Sequence, residues 1–123
     1  MFPRRADSIF DAMTDAVLEA VPNFSEGRDA RVVDAIVEAI AAAGADVLDR
    51  TMDPDHHRSV VTLVGPPEVV ERATIAGARV AVERIDLRAH RGVHPRVGAL
   101  DVLPFVPLVG LTMEDAREVA WRV

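Results

Sequence analysis

The run Ser59-Val60-Val61-Thr62-Leu63-Val64 constrains the fold more than any other segment. It is nearly all apolar or β-branched, and such side chains suit a pleated surface buried on both sides. The pattern predicts a central strand over 59–64. Gly65, Pro66 and Pro67 follow at once. Proline fits the first turn of a helix, where its missing N–H leaves no bond unmade. The helix expected next runs to about Ile85, with Val69, Val70, Ala73, Ala76, Gly77 and Val80 as a face of mostly small residues. Gly77 is expected to let that helix approach a sheet closely.

A central strand needs partners, and the flanking segments supply them. Leu18 to Ser25 reads as a strand in which Pro22 implies an edge, bulge or strand end, and Gly27 stops it. Asp29 to Ala43 reads as a helix, because Val32, Val33, Ile36, Val37 and Ile40 recur at helical spacing. Asp29 is the expected N-cap and Gly44 the expected stop. Ala45 to Met52 reads as a strand broken by the Asp53-Pro54-Asp55 turn. Val97 to Val109 reads as a fourth strand, punctuated by Pro104 and Pro107. Thr112 then looks like an N-cap with Asp115 in a capping-box position, and Met113, Ala116, Val119 and Ala120 share one face of a final helix. That helix has no stop signal before Val123 and is expected to be truncated. The order β-α-β-β-α-β with right-handed crossovers predicts an α+β fold of the ferredoxin-like kind. Its four-stranded antiparallel sheet would carry the helices on one face. Residues 1–16 read as an extension or a short helix bearing Ile9, Phe10 and Met13.

With 123 residues the chain can build one domain with a real core. It has no cysteine, which excludes disulfides, thiolate nucleophiles and cysteine metal sites and fits a reducing, cytoplasmic setting. It has no lysine either, so a lysine Schiff base is excluded. No apolar run is long enough to span a bilayer, and no membrane role is expected. The net charge of −6 argues against nucleic acid as a partner. Against that background, Arg84, Arg88, Arg91 and Arg96 crowd one stretch that contains a single acid, Asp86. A local anion site on an acidic protein is expected there.

The four histidines fall in two clusters, Asp53-Pro54-Asp55-His56-His57-Arg58 and His90-Arg91-Gly92-Val93-His94-Pro95-Arg96. A histidine in a cationic loop can bind anions and move protons near neutral pH. Arg96 could instead pair with Asp101 or Asp86 as a structural bridge. Metal binding is the competing chemistry. His90 and His94 have the i, i+4 spacing of helical zinc motifs, but Gly92 and Pro95 oppose a helix there. Asp55-His56-His57 shares only three residues with the DHH phosphoesterases. No metal is therefore expected. Asn23, Ser25 and Glu26 read, by themselves, as turn and helix-start chemistry.

Three segments together resemble one family. Val21-Pro22-Asn23-Phe24-Ser25-Glu26-Gly27-Arg28 is similar to the opening motif of glutamate formiminotransferases. Asp53 to Val60 resembles their substrate-side turn, and His90 to Phe105 resembles their H-x-G-x-HPR-x-GALDV-x-PF signature. The resemblance covers about Leu18 to Val123, in order. It implies the N-terminal subdomain of the transferase over 17–123. It also implies transfer of a formimino group from N-formimino-L-glutamate to tetrahydrofolate, in histidine degradation and one-carbon metabolism. Tetrahydrofolate would be the co-substrate, a second formiminotransferase subdomain the partner, and a homo-oligomer the expected assembly.

By resemblance, His94 is the catalytic histidine. Asn23, Arg58, His57, Arg96 and Asp55 become substrate-binding candidates. The family usually carries Asn where this chain has His57. The alternatives are a non-catalytic subdomain that binds folate or another acidic ligand, and a metal hydrolase.

Overall fold

The computed structural model describes residues 16–85 and 99–123. Its elements are strands β1 (Val17–Ala20) and β2 (Asn23–Phe24), helix α1 (Ala30–Ala42), strands β3 (Asp46–Asp53) and β4 (Arg58–Gly65), helix α2 (Pro67–Arg84), strands β5 (Leu100–Val102) and β6 (Phe105–Val109), and helix α3 (Met113–Arg122). Residues 1–15 of the extension expected over 1–16, and the loop holding His90, His94 and Arg96, lie outside the described residues.

The sheet is antiparallel throughout, in the order β5-β2-β4-β1-β6, with β3 on the other side of β4. β4 is central, as its composition predicts. The sequence predicts four strands, and the described residues form six. The first expected strand is divided at Val21-Pro22 and the last at Leu103-Pro104. Proline has no N–H to give to a ladder, so it interrupts strand pairing. The two breaks adjoin, because Val21 N–H donates to the Pro104 carbonyl at 3.0 Å, and the Pro22 carbonyl accepts from Val61 N–H at 3.1 Å. Backbone groups released by the breaks are thus satisfied across them.

Alternation along the strands sorts the two faces. Leu18, Ala20, Phe24, Ser59, Val61 and Leu63 are buried, and their neighbours Glu19, Asn23, Val60 and Thr62 are only half-buried. The core joins the buried strand positions to Ile36 and Ile40 of α1, Val70, Ala73 and Ala81 of α2, and Ala116 and Val119 of α3. Met113 and Ala120, expected on the same face of α3, are exposed. Gly77 also differs from expectation. A β-carbon there would lie 2.9 Å from Ile40 Cγ1, so its smallness admits α1, not a strand. The caps agree with the sequence. Asp29 accepts from Arg31 N–H, Gly44 takes φ 105 beyond α1, and Thr112 and Asp115 form a capping box.

Candidate functional site

At one end of the sheet the connections β2–α1 and β3–β4 are locked together. Glu26, although buried, has a job for its carboxylate: Oε2 accepts from Arg28 N–H at 3.0 Å and Asp29 N–H at 2.9 Å. These are loop amides that no helical carbonyl serves, and a carboxylate binds such donors strongly. The expected turn chemistry is what Glu26 performs. Gly27 then passes so close to the second loop that a β-carbon would overlap Arg58 N and Asp53 O. Its own N–H donates to His57 Nδ1 at 3.0 Å. Arg28 Nε reaches the Pro54 carbonyl at 2.8 Å.

The second loop is organised by Asp53. Its Oδ1 accepts from Asp55 N–H at 3.0 Å and His56 N–H at 3.2 Å, and its Oδ2 lies 2.6 Å from His56 Nδ1. The backbone bond from His56, followed by the imidazole contact, holds the Asp53 carboxyl below the usual aspartate range. His57 turns the other way. It adopts φ 54, in the left-handed region, and its ring is buried. Because the Gly27 amide can only donate, Nδ1 must be the acceptor and the neutral ring carries its proton on Nε2. Glu26 Oε2 is 3.6 Å from the same Nδ1, too far for a hydrogen bond.

Asn23 and Arg58 share the sheet face turned away from the core. Asn23 pairs with Val60 on β4 and Val102 on β5, while Phe24 and Ser59 pair on the inward face. Arg58 is two residues along β4 from Val60, so Asn23 and Arg58 are diagonal neighbours, with Cα atoms about 7–8 Å apart by sheet geometry. Asn23 Nδ2 donates to the Val21 carbonyl at 3.0 Å, which leaves its side-chain oxygen available on that face. Arg58 is half-buried, and among the described residues its guanidinium has no ion-pair partner. Asp55 is exposed at the tip of the turn.

The third sequence motif reaches the same place from its far end. Ser25 N–H donates to the Ala99 carbonyl at 2.9 Å, and Leu100 and Val102 pair with Phe24 and Asn23. Thus 23–29, 53–58 and 99–102 converge on one end of the sheet. Among the described residues, no three His, Asp or Glu side chains are grouped to hold a metal ion. Asp53 is committed to its own turn, and His57 Nδ1 to Gly27. A groove of about 450 Å³ beside Trp121 is lined by α3 alone and includes none of the motif residues.

The close approach at Gly27 goes beyond the sequence reading, which has Gly27 end the first strand and includes it in the family-like opening motif. Its signals are its place in that motif and its position two residues ahead of the Asp29 N-cap. Nor was the burial of Ser59 anticipated as a polar problem: its Oγ is buried with no hydrogen-bond partner among the described residues.

Fold and site together define an α+β domain that gathers polar loops at one end of an antiparallel sheet. Residues 17–123 match the family described as "Formiminotransferase domain, N-terminal subdomain", and the chain belongs to that family. It is 41% identical over 108 residues to a glutamate formimidoyltransferase of Streptococcus pyogenes serotype M1, covering 87% of this chain and 36% of the relative. It is 49% identical over 113 residues to a glutamate formimidoyltransferase of Thermoplasma acidophilum, covering 88% and 37%. It is 47% identical over 100 residues to a formimidoyltransferase-cyclodeaminase of Sus scrofa, covering 80% and 18%. The chain therefore spans little more than a third of these relatives at most. Among the described residues, no helix is long and apolar enough to cross a membrane.

Proposed function

We propose that this chain is the first subdomain of a glutamate formimidoyltransferase, moving a formimino group from N-formimino-L-glutamate to tetrahydrofolate. The observation that carries the reading is the placement of Asn23 and Arg58 as diagonal neighbours on one sheet face, within a chain that matches the family's N-terminal subdomain. An arginine fork can hold a glutamate carboxylate bidentately. Asn23 offers an amide oxygen beside it, and Asp55 can accept from the amidine N–H groups of the donor.

In the reaction, a tetrahydrofolate nitrogen attacks the formimino carbon and forms a C–N bond. The C–N bond to the glutamate nitrogen breaks, and one proton passes from the attacking nitrogen to the departing one. A group titrating near neutrality is suited to that transfer. We assign it to His94, five residues before Ala99 in sequence, and assign Arg96 to the substrate carboxylates. Holding both substrates in place supplies much of the rate.

The same reading treats the six strands as four interrupted ones, in ferredoxin-like order, with the open face forming one wall of the site. Val102 and Val106 on that side are 49% and 39% exposed. A second formiminotransferase subdomain would cover them, and a homo-oligomeric, cytoplasmic enzyme of histidine catabolism fits the reading.

The test is a formimino-transfer assay on the full-length protein and its His94→Ala variant. The variant should lose turnover by roughly 100-fold or more while retaining donor binding. Unchanged turnover would remove His94 from the mechanism. A full-length protein that binds folate without transferring would make this a binding module instead.

A further inference from the structure

We infer that His57 is a positioning residue, whose Nδ1 clasps the loop after β2 to the turn before β4. For its catalytic consequence this rests on the transferase reading. The clasp itself rests on geometry alone.

Three observations meet at His57. Its Nδ1 accepts from Gly27 N–H at 3.0 Å across 30 residues of sequence. Both residues are buried, so no water replaces that bond cheaply. His57 also holds φ 54, a conformation that most side chains resist but that Asn, Asp and His take more readily. On the other side of the contact, Gly27 cannot be enlarged without a backbone shift, because Arg58 N and Asp53 O crowd the space that a β-carbon would need. Position 57 thus has to satisfy two requirements together: a left-handed backbone, and an acceptor aimed at Gly27.

The clasp sits between the two proposed substrate contacts. Asn23 lies four residues before Gly27, and Arg58 directly follows His57. Releasing Gly27 would let the loop after β2 move against the start of β4. The spacing of Asn23 and Arg58 would then be less well fixed, although neither residue is altered. A shift on the ångström scale in such positioning groups is enough to slow a reaction markedly.

The chemistry of the side chain makes this separable. Imidazole Nδ1 is two bonds from Cβ, and so is the Oδ1 of asparagine. Asparagine therefore meets both requirements. Glycine meets the backbone requirement and supplies no acceptor, and alanine meets neither.

The experiment compares His57→Asn, His57→Gly and His57→Ala in the full-length protein. Two quantities are read: hydrogen exchange at the Gly27 amide, and kcat and KM for transfer. His57→Asn should keep both within about threefold of the parent, because the acceptor is retained. His57→Gly and His57→Ala should speed Gly27 exchange roughly tenfold or more and raise KM. If His57→Gly protects Gly27 as well as His57→Asn does, the acceptor is irrelevant and the inference fails. If His57→Asn loses transfer while Gly27 stays protected, the imidazole itself touches substrate and the inference fails. Exchange needs no substrate, so a parent protein without transfer activity would overturn the transferase reading and leave the clasp to be decided at Gly27.

Discussion

The backbone of Gly27 lies against the backbone of Arg58 so closely that a β-carbon on Gly27 would overlap the Arg58 amide nitrogen. Two loops with no local sequence relation are fitted to each other there, and one proposed substrate contact begins at the point of touch. Gly27→Ala should therefore destabilise the fold by about 1–3 kcal/mol, the usual cost of overpacking, because the obstructing atoms are main chain and cannot rotate away. Urea denaturation measures this. A variant with an unchanged midpoint would show that the loops are not in register as described.

Gly77 makes the corresponding contact within the core, against the Ile40 side chain. Alanine is the better helix former by about 1 kcal/mol. Overpacking against buried Ile40 costs about 1–3 kcal/mol, so Gly77→Ala alone should be a net loss. In an Ile40→Ala background the added methyl enters space that the first change has opened, and the same substitution should become stabilising. A double-mutant cycle reads this reversal of sign. Additive effects would mean that the two residues do not touch.

These contacts mark what was legible in the chain. The α1 and α3 caps were readable because Asp29, Gly44 and the Thr112–Asp115 pair act within one helical turn. β4 was readable because its composition declares burial without reference to any partner. The divided strands were half readable: Pro22 and Pro104 signalled interruption, but not that the two breaks would adjoin and exchange a bond from Val21. Gly77 was read as a close-approach residue and its neighbour was misassigned, since smallness names no partner. His57 lies in a polar turn whose sequence carries no sign of burial, and that burial depends on a glycine far away in sequence. Asn23 and Arg58 were named from motif resemblance, and their common face follows only from strand register. His94, Arg96 and His90 lie outside the described residues.

The Asp53 turn should carry an acid-sensitive share of stability. Its carboxyl is held below the ordinary aspartate range, first by the His56 backbone amide and then by the His56 ring. A depressed folded value means that the stabilisation is present above the unfolded pKa and is lost as pH falls through the folded one. Asp53→Asn retains an oxygen for the Asp55 and His56 amides but removes the titration. The parent should exceed this variant in stability near neutral pH, and the difference should shrink towards zero under acid. Urea midpoints taken across that range test it, and a difference that is constant with pH would assign the shift to no folding role.

Arg58 should reveal itself through binding rather than turnover. It is half-buried on the open face beside Asn23, and it has no ion-pair partner among the described residues. Such a guanidinium is suited to an incoming carboxylate. Arg58→Lys preserves the charge but not the planar fork, and the two are not equivalent where recognition is bidentate. In the full-length protein, Arg58→Lys should raise KM for the acidic donor by roughly tenfold with kcat little changed, since losing uniform binding leaves the chemical step intact. Arg58→Ala should raise it further, and KM for tetrahydrofolate should move less than KM for the donor in both. Equal effects on the two substrates would place Arg58 in the framework of the loop. A loss confined to kcat would place it at the reacting atoms.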